Sequence, residues 1–282
     1  MKNPSLLMLA VGATSFSSLQ AVTFSTFSGV GDTPVTLQTF GSPPGPSIDP
    51  NGGATGVGDA GLVVTPAVNG QNNYAVFDGT DTGTFTSSSF NFQFKVGLGT
   101  TPGTADGVSF AYLPTATYGT TGSLVGPVFG AAEDPAALGV LGIGLDTWSN
   151  QGAFDDPAQP TGSNYSEVSL FYDNVLISRV NDTRLLVGGF AIDNGDWHTA
   201  SGVVDYLNDT VTMDIDGVVM FAAVPVPGLA SVESRIAFAG RTGGENEVFN
   251  VDNVAVRWIP EPGSAVLGLL GLGLILRRRS VR

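Results

Sequence analysis

Short segments in which apolar and polar residues alternate run through the middle of the chain. Phe90, Phe92, Phe94 and Val96 are each followed or preceded by a polar residue. Successive side chains of a β-strand point to opposite faces, so this period of two places the apolar residues on one buried face. Patterns with a helical period are hard to find, and the 39 glycines among 282 residues favour frequent turns. The sequence therefore predicts an all-β protein.

A second alternating segment predicts a hairpin. Val211, Met213 and Ile215 alternate with polar residues, and Asp216-Gly217 predicts a tight turn into a strand over 218–221. Residues 251–258 predict the last strand, which we expect to pair with the first. We expect residues 41–58 to form a long surface loop, and we find neither an internal repeat nor a second domain. Many strands without intervening helices favour a single antiparallel sandwich.

The charge of the chain is concentrated between its ends. Residues 22–262 contain six basic residues and all 25 acidic ones, which gives this stretch a net charge of −19. A negative charge of this size repels phosphate backbones, so we expect no nucleic acid partner. The carboxylates of this stretch are suitable ligands for calcium. The chain has no cysteine, which excludes disulfides, zinc-thiolate sites and thiol nucleophiles.

The N-terminus has the order of features that export requires. Lys2 precedes an apolar run over 6–13, and polar residues lead to Leu19-Gln20-Ala21, an ending that suits signal peptidase. Residues 1–21 are predicted to be a signal peptide with a helical apolar segment, removed after Ala21. The alternative is a buried first strand.

The C-terminus has three features in a specific order. Pro260-Glu261-Pro262 precedes the apolar segment 265–276, and the basic cluster Arg277-Arg278-Arg279 follows. Residues 259–282 resemble the PEP-CTERM sorting signal of bacterial proteins. The resemblance implies a short hydrophobic helix, processing by an exosortase, and delivery to the cell surface or extracellular matrix. Twelve apolar residues are fewer than the roughly 20 that span a bilayer, so we expect only transient membrane association. The alternative is a buried C-terminal helix.

Four segments of the middle region resemble segments of legume-type (L-type) lectins and their concanavalin A-like relatives. They occur in the same order along the chain as in those lectins. These segments are 104–110, 119–126, 141–150 and 236–244. The resemblance implies a concanavalin A-like antiparallel β-sandwich, or jelly roll, over residues 22–258. It also implies a protein that binds an extracellular glycan or polysaccharide and is not an enzyme.

The resemblance assigns carbohydrate-binding roles to single residues. Asp106 would accept hydrogen bonds from sugar hydroxyls, and the bond between Ala105 and Asp106 would be cis. Gly122 would offer a backbone N–H to the sugar, and the Trp148 ring would stack on it. The amide of Asn150 would reach a hydroxyl, and Gly243 would border the pocket. We expect these residues to converge at one end of the sandwich.

The same resemblance implies a calcium site. Its ligands would be Asp146, the Trp148 carbonyl, Asn150 and a later aspartate, Asp155 or Asp156. The glutamate that the family has two residues before Asp146 is Gly144 here, and no histidine occurs in 164–171. We therefore expect no transition metal, and calcium would need water molecules to complete its shell. The alternative is that Asp146 and Asn150 only cap turns.

Catalytic patterns are missing from the sequence. His198 is the only histidine and has no nucleophile partner, so we interpret it as a surface residue on a strand and Trp197 as a core residue. No Glu-x-Asp-x-x-Glu pattern of a sandwich-type glycosidase occurs. The main alternative to glycan binding is a structural matrix protein that has kept the fold and lost the site. A glycoside hydrolase whose carboxylates come from distant loops is a third hypothesis.

Overall fold

The computed structural model describes residues 21–29, 31–150, 154 and 156–261. Residues 1–20 of the predicted signal peptide, the apolar tail and the arginine cluster, like Asp155 and Pro262, lie outside the described residues, whereas Ala21 is the first residue of a strand. Within the described part, strands dominate, with one short helix, α1 (Thr115–Tyr118), and one 3-10 turn (Thr183–Leu185). The all-β prediction is therefore confirmed. No helix in this part is long and apolar enough to cross a membrane.

The strands form two antiparallel sheets that face each other as a sandwich. The back sheet contains, in spatial order, β13 (Val218–Pro225), β12 (Thr210–Ile215), β11 (His198–Asp205), β6 (Phe85–Leu98), β15 (Glu247–Pro260), β4 (Gly61–Thr65) and β3 (Ser47–Asp49), with β1 (Ala21–Ser25) also paired to β15. The front sheet contains β10 (Val175–Val180), β9 (Ser163–Tyr172), β8 (Leu141–Ser149), β7 (Gly107–Pro114), β14 (Ser234–Arg241), β5 (Asn72–Phe77) and β2 (Val35–Thr39).

The alternating phenylalanines of β6 form the centre of the core. Phe90, Phe92 and Phe94 are all buried, while the residues between them face outward. The Phe92 ring lies 5.0 Å from the ring of Phe238 and 5.1 Å from that of Phe110, both on the front sheet. The two inner faces therefore meet as in other β-sandwiches.

The predicted hairpin and the predicted end pairing are confirmed. Asp216 and Gly217 have φ values of 52° and 78°, as a two-residue turn between twisted strands requires, and they join β12 to β13. The first strand pairs with the last, with Ala21 opposite Trp258. The loop prediction for 41–58 is wrong in part, because Ser47–Asp49 pairs with β4 and adds an edge strand to the back sheet.

The front sheet is covered on both faces, which explains why β7 and β14 are almost wholly apolar or small. Residues 119–140 cross its outer face, and Phe129 and Leu124 pack there against Tyr74, Ala111 and Ala237. A strand buried on both faces does not show strict alternation. The crossing segment follows α1, and its later part lies over β8, where Pro135 contacts Gly142 and Glu133 contacts Gly144.

Four strand ends meet at one end of the sandwich, which we call the site end and define by residues 99–106, 147–150 and 242–247. β7 begins there, β8 and β14 end there, and β15 begins there. The register places Gly107 opposite both Arg241 and Asp146. Loops that are distant in sequence are therefore neighbours at the site end.

Candidate functional site

Asp106 lies at the site end, directly before β7. The bond between Ala105 and Asp106 is cis, as expected. The Asp106 N–H donates to the Arg241 carbonyl at 3.0 Å, and its carbonyl accepts from the Thr147 N–H at 3.1 Å and the Thr147 hydroxyl at 3.2 Å. The backbone on both sides of this carboxylate is therefore fixed by two neighbouring strands, and only 5% of the residue is exposed.

Gly243 lies against the side chain of Asp106. A Cβ at Gly243 would be 3.0 Å from Asp106 Oδ2 and 3.1 Å from Oδ1, so a larger residue there would press on the carboxylate. The loop after β14 therefore approaches Asp106 closely, and the structure brings these two predicted site residues together.

Trp148 lies at the same end and is half-buried. A Cβ at Gly103 would come within 2.5 Å of Trp148 Cζ3, so the ring packs directly on the backbone at this glycine. The Gly103 N–H donates to Glu245 Oε2 at 3.1 Å. An indole ring and a carboxylate are thus held beside one another through one loop, a combination suited to an apolar sugar face and its hydroxyl edge.

The structure does not bring Gly122 to the site end. Its N–H donates to Asp78 Oδ1 at 3.0 Å, and its carbonyl accepts from Arg235 at 2.8 Å. Arg235 is six residues before Arg241 on β14, roughly 20 Å away along an extended strand. The crossing segment instead delivers Glu133 to the site end.

Asn150 follows the last residue of β8 and is exposed. Its contact with a sugar or a metal stays a prediction. Asp156 is buried, and its Oδ1 accepts the Ala158 N–H at 2.9 Å.

Asp146 has its carboxylate occupied by protein donors. Oδ1 accepts the Trp148 N–H at 3.0 Å, and Oδ2 accepts the Tyr165 hydroxyl at 2.7 Å. Burial raises the pKa of Asp146 well above its usual range, and the charge of Glu133 adds to this, against the opposing effect of the two hydrogen bonds. The protein itself therefore supplies one hydrogen-bond donor to each Asp146 oxygen, which ties the carboxyl group to the chain after it and to β9.

Gly144 lies on β8, two residues before Asp146. A Cβ there would be 2.1 Å from the Glu133 carbonyl oxygen, so the crossing segment leaves no room for a side chain. Among the described residues, no group of three or more histidine, aspartate or glutamate side chains is arranged to hold a metal ion.

Arg241 is a site-end residue to which the sequence patterns assigned no role. Its Nε donates to Glu133 Oε2 at 2.9 Å, its Nη2 donates to Glu133 Oε1, and its Nε is 3.4 Å from Asp106 Oδ2. Burial alone lowers the pKa of Arg241, but the hydrogen bonds and charge of Glu133 raise it above its ordinary value. An Arg at a strand end and a Glu in a long loop are a weak signal, and only their contact reveals the pair.

Glu247 is a second unforeseen residue and lies beneath the site. It is fully buried at the start of β15, 2.8 Å from the Thr147 hydroxyl. Burial raises the pKa of Glu247 to about 8, and the charges of Asp193, Asp106 and Glu133 act in the same direction against the Thr147 hydrogen bond. A neutral carboxyl group therefore supports the site end at physiological pH.

The interpretation of His198 as a surface residue is wrong. His198 is 4% exposed, stacks on Phe190 with a centroid distance of 4.6 Å, and contacts Asp216 Oδ2 through Nδ1 at 2.6 Å. It starts β11, where neighbouring loops cover it. Trp197 is half-buried rather than a core residue, with the Lys95 ammonium 5.6 Å from its ring centroid.

Comparisons with solved structures identify the fold. A lectin from Bauhinia forficata in complex with GalNAc superimposes with a TM-score of 0.57 and 18% identity, over 84% of this chain and 97% of that one. Peanut lectin gives 0.56 and 13%, over 85% and 97%. The Ca2+-bound exoplasmic/lumenal domain of VIP36 gives 0.55 and 15%, over 86% and 92%. No protein-family model matches the chain, and no curated protein matches it in sequence. The chain thus has the concanavalin A-like sandwich fold of legume lectins.

Proposed function

We propose that this chain is an exported, non-enzymatic protein that binds an extracellular glycan at the site end. The observation that carries the proposal is the position of Asp106. Its carboxylate follows a cis bond, is held by two strands, and lies against Gly243, with the Trp148 ring in the same cluster of loops. A fixed acceptor beside an aromatic ring can bind sugar hydroxyls and an apolar sugar face together.

Export and sorting belong to this proposal and are supported by the sequence of the two ends. Pro260 is the last residue of β15, and the Glu261 N–H donates to the Thr84 carbonyl at 3.2 Å. The tail would therefore begin directly where the sandwich ends. We propose that signal peptidase and an exosortase process the chain, which associates transiently with the membrane and then reaches the cell surface or matrix.

Calcium fits a sandwich of this kind, because the VIP36 domain is Ca2+-bound in four solved forms. In this chain, the Trp148 carbonyl, Asn150, Asp155 or Asp156, and water molecules would be the remaining partners of an ion near Asp146. The ion would supply positive charge and rigidity to the loop after β8. The Asp146 carboxylate also accepts hydrogen bonds from the Trp148 N–H and the Tyr165 hydroxyl, which hold it without an ion.

The Asp106→Ala variant is expected to bind its glycan roughly tenfold to a hundredfold more weakly, because it loses a charged acceptor. A glycan array followed by calorimetry measures this loss. The matched control is Asp214→Ala, since Asp214 lies on the outer face of the back sheet and accepts from Ser201 at 2.8 Å. Equal affinities of Asp106→Ala and wild-type protein would refute the site, and no binding to any glycan would favour the structural matrix protein.

The Gly103→Ala variant tests the Trp148 ring. The new methyl group would lie within 2.5 Å of the ring, so the indole must move, and we expect binding to weaken by roughly tenfold. Gly244→Ala is the control, because a Cβ there meets no atom within 4 Å. If both variants bind as the wild type does, Trp148 takes no part in recognition.

A further inference from the structure

A cationic side chain is built into the site end. The Arg241 guanidinium donates to both oxygens of Glu133 and lies 3.4 Å from Asp106 Oδ2. The Glu133 and Asp106 side chains are 1% and 7% exposed, while 29% of the Arg241 side chain is exposed. A planar guanidinium that binds a carboxylate through two nitrogens is a strong and directional contact.

The positive charge of Arg241 compensates the two buried carboxylates of Asp106 and Glu133. Two buried carboxylates close to one another repel unless a positive charge or a proton lies between them. Arg241 also accepts the Asp106 N–H through its carbonyl at 3.0 Å, so one residue holds both the backbone and the carboxylate of Asp106. Thr147 holds the Asp106 carbonyl from β8.

Asp146, the aspartate that the calcium interpretation names, is already fixed by contacts within the protein. Both Asp146 oxygens accept hydrogen bonds, from the Trp148 N–H and from the Tyr165 hydroxyl. At Gly144, the Glu133 carbonyl occupies the space next to the backbone. The contact from Trp148 orders the first residues after Asp146, and the contact from Tyr165 ties them to β9.

We propose that Arg241, itself fixed by Glu133, is the positioning residue that holds Asp106 in its glycan-binding orientation, so that the site end needs no divalent cation. The glycan part of this inference rests on the proposed function. The organisation of the loops does not depend on it and can be measured without a glycan.

The first experiment is thermal unfolding of the purified chain in EDTA and in CaCl2. We expect midpoints that agree within about 1 °C, since no loop depends on the ion. The Arg241→Ala variant is expected to unfold about 5 °C lower or more, because it leaves two buried carboxylates without their cation. Arg257→Ala is the matched control, because Arg257 is exposed on β15 of the back sheet. A midpoint that falls by several degrees in EDTA and recovers with CaCl2 would overturn the inference.

The second experiment measures glycan affinity under the same conditions. EDTA is expected to leave the affinity of the wild-type protein unchanged, and Arg241→Ala is expected to reduce it roughly tenfold or more. Methylguanidine at millimolar concentration should restore part of the affinity, which a general loss of packing would not allow. Wild-type affinity in Arg241→Ala, or loss of wild-type binding in EDTA, would contradict the proposal.

Two further variants keep the test decisive if Arg241→Ala does not fold. Arg241→Lys keeps the charge but cannot make both contacts, and Glu133→Gln removes the carboxylate that fixes the guanidinium. We expect both to bind more weakly and both to be insensitive to EDTA. Wild-type affinity in both would refute the positioning role. If the wild-type protein binds no glycan at all, the proposed function fails, while the unfolding midpoints still decide whether the loops need a cation.

Discussion

At about pH 9, the Glu247→Gln variant is expected to be more stable than the wild-type protein by on the order of 4 kcal/mol. Burial raises the pKa of Glu247 to about 8 from an ordinary value of 4.5. In the wild-type protein, ionising this carboxyl group would place a charge in a fully buried position beside Asp193, Asp106 and Glu133. Glutamine has a similar shape and cannot ionise, so the variant avoids this cost.

The direction of the pH dependence follows from proton binding. Between pH 4.5 and about pH 8, the unfolded chain releases the proton of Glu247 whereas the folded chain keeps it. The contribution of Glu247 to stability is therefore fully present below pH 4.5, falls as the pH rises through this window, and stays constant above it. Glu247→Gln is expected to lose this part of the slope.

Urea unfolding at several pH values between about 4 and 9 measures the difference in free energy of unfolding. Glu245→Gln is a suitable control, because Glu245 lies two residues away at the same end but is only half-buried. Identical slopes for the wild type and Glu247→Gln would show that the pKa of Glu247 is the same in the folded and the unfolded chain.

The Phe92→Ala variant is expected to lose about 3 to 5 kcal/mol of stability. Phe92 is 1% exposed, and its ring contacts Phe110 and Phe238 across the sandwich as well as Phe90 and Phe94 along β6. Removing the ring opens a cavity that both sheets line and that a stiff pleated strand cannot close.

Chemical denaturation of Phe92→Ala at neutral pH measures this loss. Phe24→Ala is the control, because Phe24 on β1 is 42% exposed and its removal is expected to cost less than about 1 kcal/mol. A similar loss in both variants would mean that the core is not centred on β6.

Local patterns were sufficient to predict that the fold is all-β. The alternation at Phe90, Phe92 and Phe94 identified a half-buried strand, because side-chain direction in a strand depends only on position along the chain. Asp216-Gly217 identified the hairpin for a similar reason, since its turn needs two residues with positive φ. The edge strand Ser47–Asp49 was missed because its three exposed residues lack alternation, and only its partner β4 makes it a strand.

Parts of the candidate site were predictable where a short continuous segment of sequence contains all the residues involved. The cis bond before Asp106 and the positions of Trp148 and Gly243 at the same end follow from segments that are continuous in sequence. Gly122 was assigned to this end because its glycine-rich stretch resembles a binding loop of the L-type lectins, but the position of a loop depends on the path of the chain around it. Residues 119–140 cross the front sheet, so their first part lies at one end and Glu133 at the other.

The sequence by itself determined the class of fold, since side-chain alternation is written in neighbouring residues, and it predicts the signals at the two ends and the acceptor role of Asp106. Only the tertiary structure decided what surrounds Asp106. The pair of Glu133 and Arg241 joins residues 108 positions apart, and Tyr165 reaches Asp146 from the next strand. Such contacts leave no periodic pattern, because they arise from the sheet register and the path of the crossing segment. They indicate that the alternating strands supply the framework and that contacts distant in sequence set the charge of the site.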